Sequence, residues 1–174
     1  MKTLARFFAL PLIALAALLL PTAATAAPAS TSFAVVGYEY AFTQTVGSFA
    51  GPATGNVGDT GLWNATVQHD PLGSIPTYIN GGTFAMTTVG SGGHVDYVDG
   101  DFVHHGGTIT TLAAGANCTN QRFRVAGALG NVATRTTSGG TGNFSVVLTH
   151  YRQSILGHCI IYKARVVGTV SFSY

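Results

Sequence analysis

The chain has 174 residues, of which 47% are hydrophobic and only 8% are charged. Eight Lys and Arg residues stand against six Asp and Glu residues, and two of the cations, Lys2 and Arg6, lie close to the N-terminus. Without those two the cations and acids are equal in number, which excludes strong nucleic-acid binding through net charge.

A secretory signal is predicted over residues 1–26. Lys2 and Arg6 precede an apolar run at 7–20, and Ala24-Thr25-Ala26 offers small side chains to a signal peptidase. The run is shorter than the roughly 18 residues of a membrane span, and no later window reaches that length. We therefore expect cleavage after Ala26 and a single β domain over residues 27–174, secreted, extracellular or periplasmic.

Apolar runs separated by segments rich in Gly, Asn and Asp predict strands along the rest of the chain. Residues 47–61 and 131–142 are rich in small and turn-forming residues and predict loops. Asp99-Gly100 and Gly106-Gly107 predict turns that divide residues 94–112 into three short strands. The predicted strands, with a short extended lead-in at 77–80, are 32–46, 62–69, 83–89, 94–98, 102–105, 108–112, 121–129, 143–152 and 159–174.

The final predicted strand has the clearest pattern. Its even-numbered positions are apolar from Ile160 to Tyr174, and its odd-numbered positions are mainly polar. Since strand side chains alternate between faces, one side of this strand faces a core and the other faces water. Gly168 is the expected bend or bulge.

Eight or nine short strands with Gly-rich turns, and no helix after the signal, predict an all-β domain: a single antiparallel β-barrel or a β-sandwich of about eight strands. Cys118 and Cys159 are the only cysteines, and export to an oxidising compartment predicts that they form a disulfide. Such a bond joins the final strand to the segment before Arg122.

A small-ligand pocket is one hypothesis for the end of the 143–152 strand. His150 and Arg152 continue the parity of Phe144, Val146 and Leu148, so both could face an opening of the interior, with Tyr162 from the final strand beside them. The alternative is that the strand simply ends there and these side chains are solvated.

A basic stripe is the second hypothesis. Arg122 and Arg124 share one outer face, and Lys163 and Arg165 share another. If their strands are adjacent, the four cations could meet an anionic cell-surface polymer. The alternative is that they form ion pairs with acids from the first half of the chain.

No catalytic residues, metal site or cofactor are predicted. His94, Asp96, His104, His105 and the pair His69-Asp70 match no known ligand spacing. Gly-x-Ser-x-Gly is absent, and the acids Asp96, Asp99 and Asp101 flank a predicted turn.

Two resemblances are local. Ser138-Gly-Gly-Thr-Gly-Asn-Phe144 resembles the turn of dirigent and allene-oxide-cyclase-like β-barrels, which implies an eight-stranded barrel and a lumen for small apolar molecules. The Ala-x-Gly that follows in those families is replaced by Val147-Leu148-Thr149-His150, so their activity does not carry over. The ending Val170-Ser-Phe-Ser-Tyr174 resembles the last strand of small outer-membrane barrels.

The sequence therefore predicts a secreted, non-enzymatic β domain that binds a partner or has a structural role. The partner is an anionic cell-surface polymer or a small apolar ligand, and not a nucleic acid. A ligand-binding or cyclase- or isomerase-like barrel and an outer-membrane barrel are the alternatives, and only the latter involves a membrane.

Overall fold

A computed structural model describes residues 30–56, 58–90 and 92–174. The predicted signal at 1–26 lies outside these residues. The described chain forms eight antiparallel strands and one short 3₁₀ helix, η1. The strands are β1 Ser30–Phe42, β2 Val46–Gly55, β3 Thr60–His69, β4 Thr77–Val89, β5 Val95–Ala113, β6 Gln121–Thr134, β7 Gly140–Ile155 and β8 His158–Ser173, and η1 spans Ala116–Cys118. Within the described residues, no helix is long and apolar enough to cross a bilayer.

The strands form a closed barrel, which confirms the all-β prediction and decides between barrel and sandwich. Each strand pairs with the next, and β1 pairs with β8 from Ser30↔Ser173 to Tyr38↔Arg165. The β1–β2, β3–β4, β5–β6 and β7–β8 connections therefore lie at one end of the barrel, which we call the mouth end. The other three connections lie at the base end.

The predicted loop at 47–61 is wrong for most of its length, because residues 46–55 form β2. Glycine serves here for close approach between strands. A Cβ on Gly51 would collide with the backbone of Val36 and Gly37 on β1. β2 thus lies tightly against β1. Composition alone does not distinguish a glycine that allows two strands to approach closely from a glycine in a loop.

Trp63 on β3 completes the contact between β1 and β2. Pro52 has no N–H with which to bond β1. The indole Nε1 of Trp63 donates to the carbonyl oxygens of Val36 and Pro52, at 3.1 Å each. The Trp63 ring itself is buried and stacks on Phe84 of β4 at 6.2 Å between ring centroids.

The turns predicted at Asp99-Gly100 and Gly106-Gly107 are wrong, because β5 runs without interruption through both. Val98, Gly100 and Phe102 alternate inward, and this part of the strand pairs with β4 on one side and β6 on the other. At Asp99-Gly100 the two neighbouring ladders thus override the local turn preference. Residues 103–106 have no register partner on β4 or β6, and register shifts in both ladders accommodate them as a bulge within β5.

The predicted loop at 131–142 is also too long, since β6 continues to Thr134 and β7 begins at Gly140. The two segments predicted at 77–80 and 83–89 form one strand, β4. They join through Gly81 and Gly82, whose φ angles of 148° and 120° favour glycine.

The alternation of the final strand is confirmed over most of its length. Ala164, Val166, Val170 and Phe172 are buried in the core. Tyr174 is half-buried and packs against that core. The pattern fails nearer the mouth, where a register shift opposite Tyr151 and Arg152 leaves Ile160 and Tyr162 exposed.

The outer-membrane alternative requires a polar lumen and an apolar outer face on β8. Val170 and Phe172 instead point inward, where they are 2% and 1% exposed. The interior is apolar, with Leu129, Ile79 and Met86 among its fully buried side chains. This arrangement is the reverse of the one that the resemblance implies.

The predicted disulfide is confirmed, with Cys118 and Cys159 joined across 41 residues and Cα atoms 5.6 Å apart. It ties the β5–β6 connection to the start of β8 at the mouth end. Arg152 on β7 strengthens the same region, because its Nη1 donates to the Gly115 carbonyl oxygen at 2.8 Å.

Replacing both cysteines, Cys118→Ser/Cys159→Ser, should lower the free energy of unfolding by about 3–4 kcal/mol, because a loop of this length is constrained in the unfolded chain. Urea unfolding measures the loss. The native protein with its disulfide reduced is the control and should unfold at the same midpoint as the variant. An unchanged midpoint in both would contradict the prediction.

The substitution Trp63→Phe should destabilise the barrel by about 1–3 kcal/mol, because the Val36 and Pro52 carbonyls lose their donor. Urea unfolding again provides the measurement. Tyr97→Phe, which removes a hydroxyl from an exposed ring on β5, is the matched control. Equal midpoints for the two variants would show that the indole N–H contributes nothing.

Candidate functional site

The barrel interior holds a small apolar cavity of about 50 Å³. Its walls come from strands on all sides of the barrel. Aromatic and branched side chains form the lining, including Trp63, Phe84, Phe102, Phe144 and Val170. No polar side chain lines this cavity, so it suits an apolar occupant.

A second cavity of about 50 Å³ lies toward the mouth end and differs in chemistry. It shares Phe49, Val67, Val125 and Leu148 with the first, so the two cavities adjoin. Polar side chains enter its lining, namely Glu39 from β1, Thr43 from the β1–β2 connection, His69 from β3 and His150 from β7. The lumen is therefore apolar in the first cavity and partly polar in the second cavity, next to the mouth end.

Glu39 and His150 form a buried pair at the top of the lumen. The His150 Nε2 atom lies 3.0 Å from Oε2 of Glu39, and the two side chains are only 6% and 5% exposed. Phe123 packs edge-on against the imidazole with 5.6 Å between ring centroids, and the Phe42 ring centroid lies 6.3 Å from it. Aromatic rings thus screen the pair from water.

Such a pair is expensive to bury, because removing two ionisable groups from water costs several kcal/mol before their attraction offsets it. Within the described residues, neither side chain makes another hydrogen bond. Glu39 therefore keeps one carboxylate oxygen, and His150 keeps Nδ1, for a further partner. A buried ionisable pair facing a cavity is a typical feature of functional sites.

His69 completes the polar end of the lumen and is itself buried. Its Nδ1 atom donates to the Asp70 carbonyl oxygen at 2.6 Å, which fixes the ring at the start of the β3–β4 connection. The Asp70 carboxylate accepts from the Asn80 amide and the Tyr78 backbone N–H, and these two hydrogen bonds hold the pKa of Asp70 below its ordinary value. The stability that these two hydrogen bonds contribute is present above the ordinary pKa of an aspartate. It is lost as the pH falls through the lowered pKa of Asp70.

Of the three residues predicted for a ligand pocket, the structure places only His150 in the lumen. Arg152 bonds the β5–β6 connection and does not line either cavity. Tyr162 lies on the outer surface, 6.4 Å from the Tyr151 ring. The three side chains are not brought together. The register shift leaves Tyr162 as an extra residue on β8 between Ile161 and Lys163, and Arg152 reaches the β5–β6 connection instead of the lumen.

Glu39 was not predicted as a site residue. It lies between Tyr38 and Tyr40, and the alternation of Ala34, Val36, Tyr38 and Tyr40 favours the even positions as the inward face of this strand. In the structure the odd positions face inward: Phe33 and Val35 are buried, and Tyr38 is 48% exposed. The signal that could have revealed Glu39 is the continuation of the Phe33 and Val35 parity.

The four residues of the basic stripe do come together on the outside of the barrel. Arg122 on β6 and Arg165 on β8 both lie opposite Thr149 on β7. Arg124 lies opposite Val147, and Lys163 lies opposite Tyr151. The predicted ion pairs with acids from the first half of the chain do not form: within the described residues, only His150 and Glu39 approach within 4.0 Å.

The remaining titratable residues do not assemble into a metal site in the part of the chain that the structure describes, where no three His, Cys, Asp or Glu residues converge. His104 stacks on His105 at 4.0 Å, and its Nδ1 donates to the Asn80 carbonyl oxygen. Asp101 accepts a hydrogen bond from the Asn131 amide. These contacts join β5 to its neighbours β4 and β6.

The cost of the buried pair can be measured by comparing single and double substitutions. His150→Leu should destabilise the protein by about 3–5 kcal/mol, because it leaves the Glu39 carboxylate buried without a partner. Glu39→Met/His150→Leu should recover most of that loss, because apolar residues of similar volume need no partner. Urea unfolding of both variants provides the measurement. A double variant as unstable as His150→Leu would mean that the pair stabilises the fold.

No protein-family model, no curated protein and no solved structure matches this chain.

Proposed function

We propose that the protein is an exported, non-enzymatic binding barrel that takes a small single-ring apolar molecule with one polar group into its lumen. The observation that carries this proposal is the Glu39–His150 pair, buried at 3.0 Å where an apolar cavity ends. The ring would occupy the apolar cavity, and its polar group would bond the pair.

The dimensions of the lumen support a small ligand. Each cavity is about 50 Å³, well below the roughly 150 Å³ of a cavity that holds benzene. A single ring must therefore span both, with the shared side chains Leu148 and Phe49 moving to admit it. Larger multi-ring molecules would require the packed core to open.

The mouth offers a route of entry. Phe42 at the end of β1 and Leu72 in the β3–β4 connection both line the upper cavity, yet they are 59% and 44% exposed. They belong to the strand end and loop that border the mouth, and neither is held in the core. Displacing these two side chains would open the lumen without breaking the barrel.

Binding explains the lumen better than turnover does. Apart from Glu39, His69, His150 and Thr43, the side chains that line the two cavities are apolar. His69 already donates to a backbone carbonyl. A reaction that develops charge on its substrate needs further donors or cations at the reacting atoms. The local resemblance to dirigent and allene-oxide-cyclase-like barrels is compatible with a lumenal ligand, and it assigns no residue here.

The isosteric pair phenol and toluene tests the proposal. In the native protein the phenol hydroxyl can bond Glu39 or His150, whereas toluene gains only burial. Removing the pair by Glu39→Met/His150→Leu should lower the ratio of phenol to toluene affinity by about tenfold or more, the value expected for a hydrogen bond to a charged group. NMR titration monitors the Trp63 indole and the lining methyl groups.

The matched control is Arg135→Ala, an exposed residue in the β6–β7 connection, which should leave both affinities unchanged. Binding of neither ring, or an affinity ratio that does not respond to the double substitution, would contradict the proposal. Shifts confined to outer-surface residues would do so as well.

A further inference from the structure

We propose that the outer face of β6, β7, β8 and β1 binds an acidic polysaccharide. We call this surface the cation–tyrosine face, and it consists of Arg122, Arg124, Lys163, Arg165, Tyr38, Tyr151 and Tyr162. Its cations would pair with carboxylate or sulfate groups along the polymer, and its tyrosine rings would pack against sugar rings. This site is separate from the lumen and does not depend on the function proposed for it.

The cations are spaced across adjacent strands. Arg122 and Arg165 flank Thr149, so their Cα atoms lie two strand spacings apart, about 10 Å. A shallow cavity of about 280 Å³ lies between them, lined by Arg122, Val147, Thr149, Tyr151, Arg165 and Val167. An anionic group in this depression could contact a guanidinium from either side.

The charges on this face are not neutralised by the protein. Among the described residues, no acid lies within 4.0 Å of any of the four cations. The acids Asp96, Asp99 and Asp101 occupy the part of β5 nearer the base end, whereas Arg122 and Arg124 lie near the mouth end of β6. The Nε atom of Arg165 is buried without a hydrogen-bond partner. The Arg165 guanidinium therefore has no anionic partner among the described residues.

Tyrosine rings continue the face beside the cations. The Lys163 Nζ atom lies 5.1 Å from the Tyr38 ring centroid and 5.8 Å from that of Tyr151. Tyr162 packs near Tyr151, and it is 59% exposed. Each ring thus keeps an apolar body and a hydroxyl at the surface, a combination that suits partners with both apolar and polar groups.

A polysaccharide fits this face better than a nucleic acid does. Once Lys2 and Arg6 are excluded, the cations and acids balance, so the molecule has no large net charge with which to attract a densely charged duplex or strand. The cations are also spread over two strands, β6 and β8, that flank β7. An extended chain with spaced acidic groups and non-planar sugar rings matches that layout.

Retention on immobilised polygalacturonate or dextran sulfate, with neutral dextran as the blank, tests the proposal directly. We expect the native protein to bind at least one of the acidic polymers and not the neutral one, with affinity falling as salt rises. Arg122→Ala/Arg124→Ala should weaken binding by about fivefold or more, the loss expected for exposed ion pairs. The comparison of polygalacturonate with dextran sulfate shows whether carboxylate or sulfate is preferred.

Two matched controls show whether binding needs this face or only any exposed cation or any exposed aromatic ring. Arg135→Ala removes an exposed cation away from the face, and Tyr97→Ala removes an exposed ring from β5; both should bind as the native protein does. Tyr38→Ala should weaken binding without changing charge. Binding to neither acidic polymer would overturn the proposal, as would equal losses in face and control variants. Tighter binding to single-stranded DNA or to phosphatidylserine vesicles would also overturn it.

Discussion

The pairing of β1 with β8 is the constraint on which the rest of the structure depends. By closing the sheet, the ladder from Ser30↔Ser173 to Tyr38↔Arg165 divides every strand into an inner and an outer set of side chains. A closed sheet has no edge at which an inward side chain can reach water. Residues such as Val166 and Phe172 fill the enclosed space. Glu39 and His150 lie in the same space. Within the described residues, each of these two side chains makes its hydrogen bond to the other.

How much of this arrangement the sequence reveals depends on whether local pattern and tertiary pairing agree. In β8 they agree, so the inward positions of Val166, Val170 and Phe172 could be predicted. In β2 they conflict, because Gly51 and Pro52 read as loop residues while the structure uses them for close approach and for a carbonyl bonded by Trp63. Local turn chemistry cannot report a partner strand that approaches from a distant part of the chain.

The residues of the candidate sites can likewise be predicted only where the local pattern agrees with the strand pairing. His150 and the four cations of the stripe could be identified because they continue clear alternations on β6, β7 and β8. Glu39 is harder to identify, because both parities of β1 contain large or apolar residues, and its partner lies 111 positions away. The parity of the final strand predicts Tyr162 at the lumen, but a one-residue register shift, which the sequence does not reveal, leaves this side chain on the outer surface.

Alternation also explains how two sites of opposite character can occupy the same strands. Glu39 points into the lumen while its neighbour Tyr38 lies outside beneath Lys163, and His150 points inward while Tyr151 lies outside. The backbone that positions the buried pair therefore positions the cation–tyrosine face as well. β8, which carries Lys163 and Arg165, pairs with β1 on one side and with β7 on the other, so the strands of the buried pair are its two neighbours. The same ladders therefore set both the distance across the lumen that Glu39 and His150 bridge and the spacing of the outer charges.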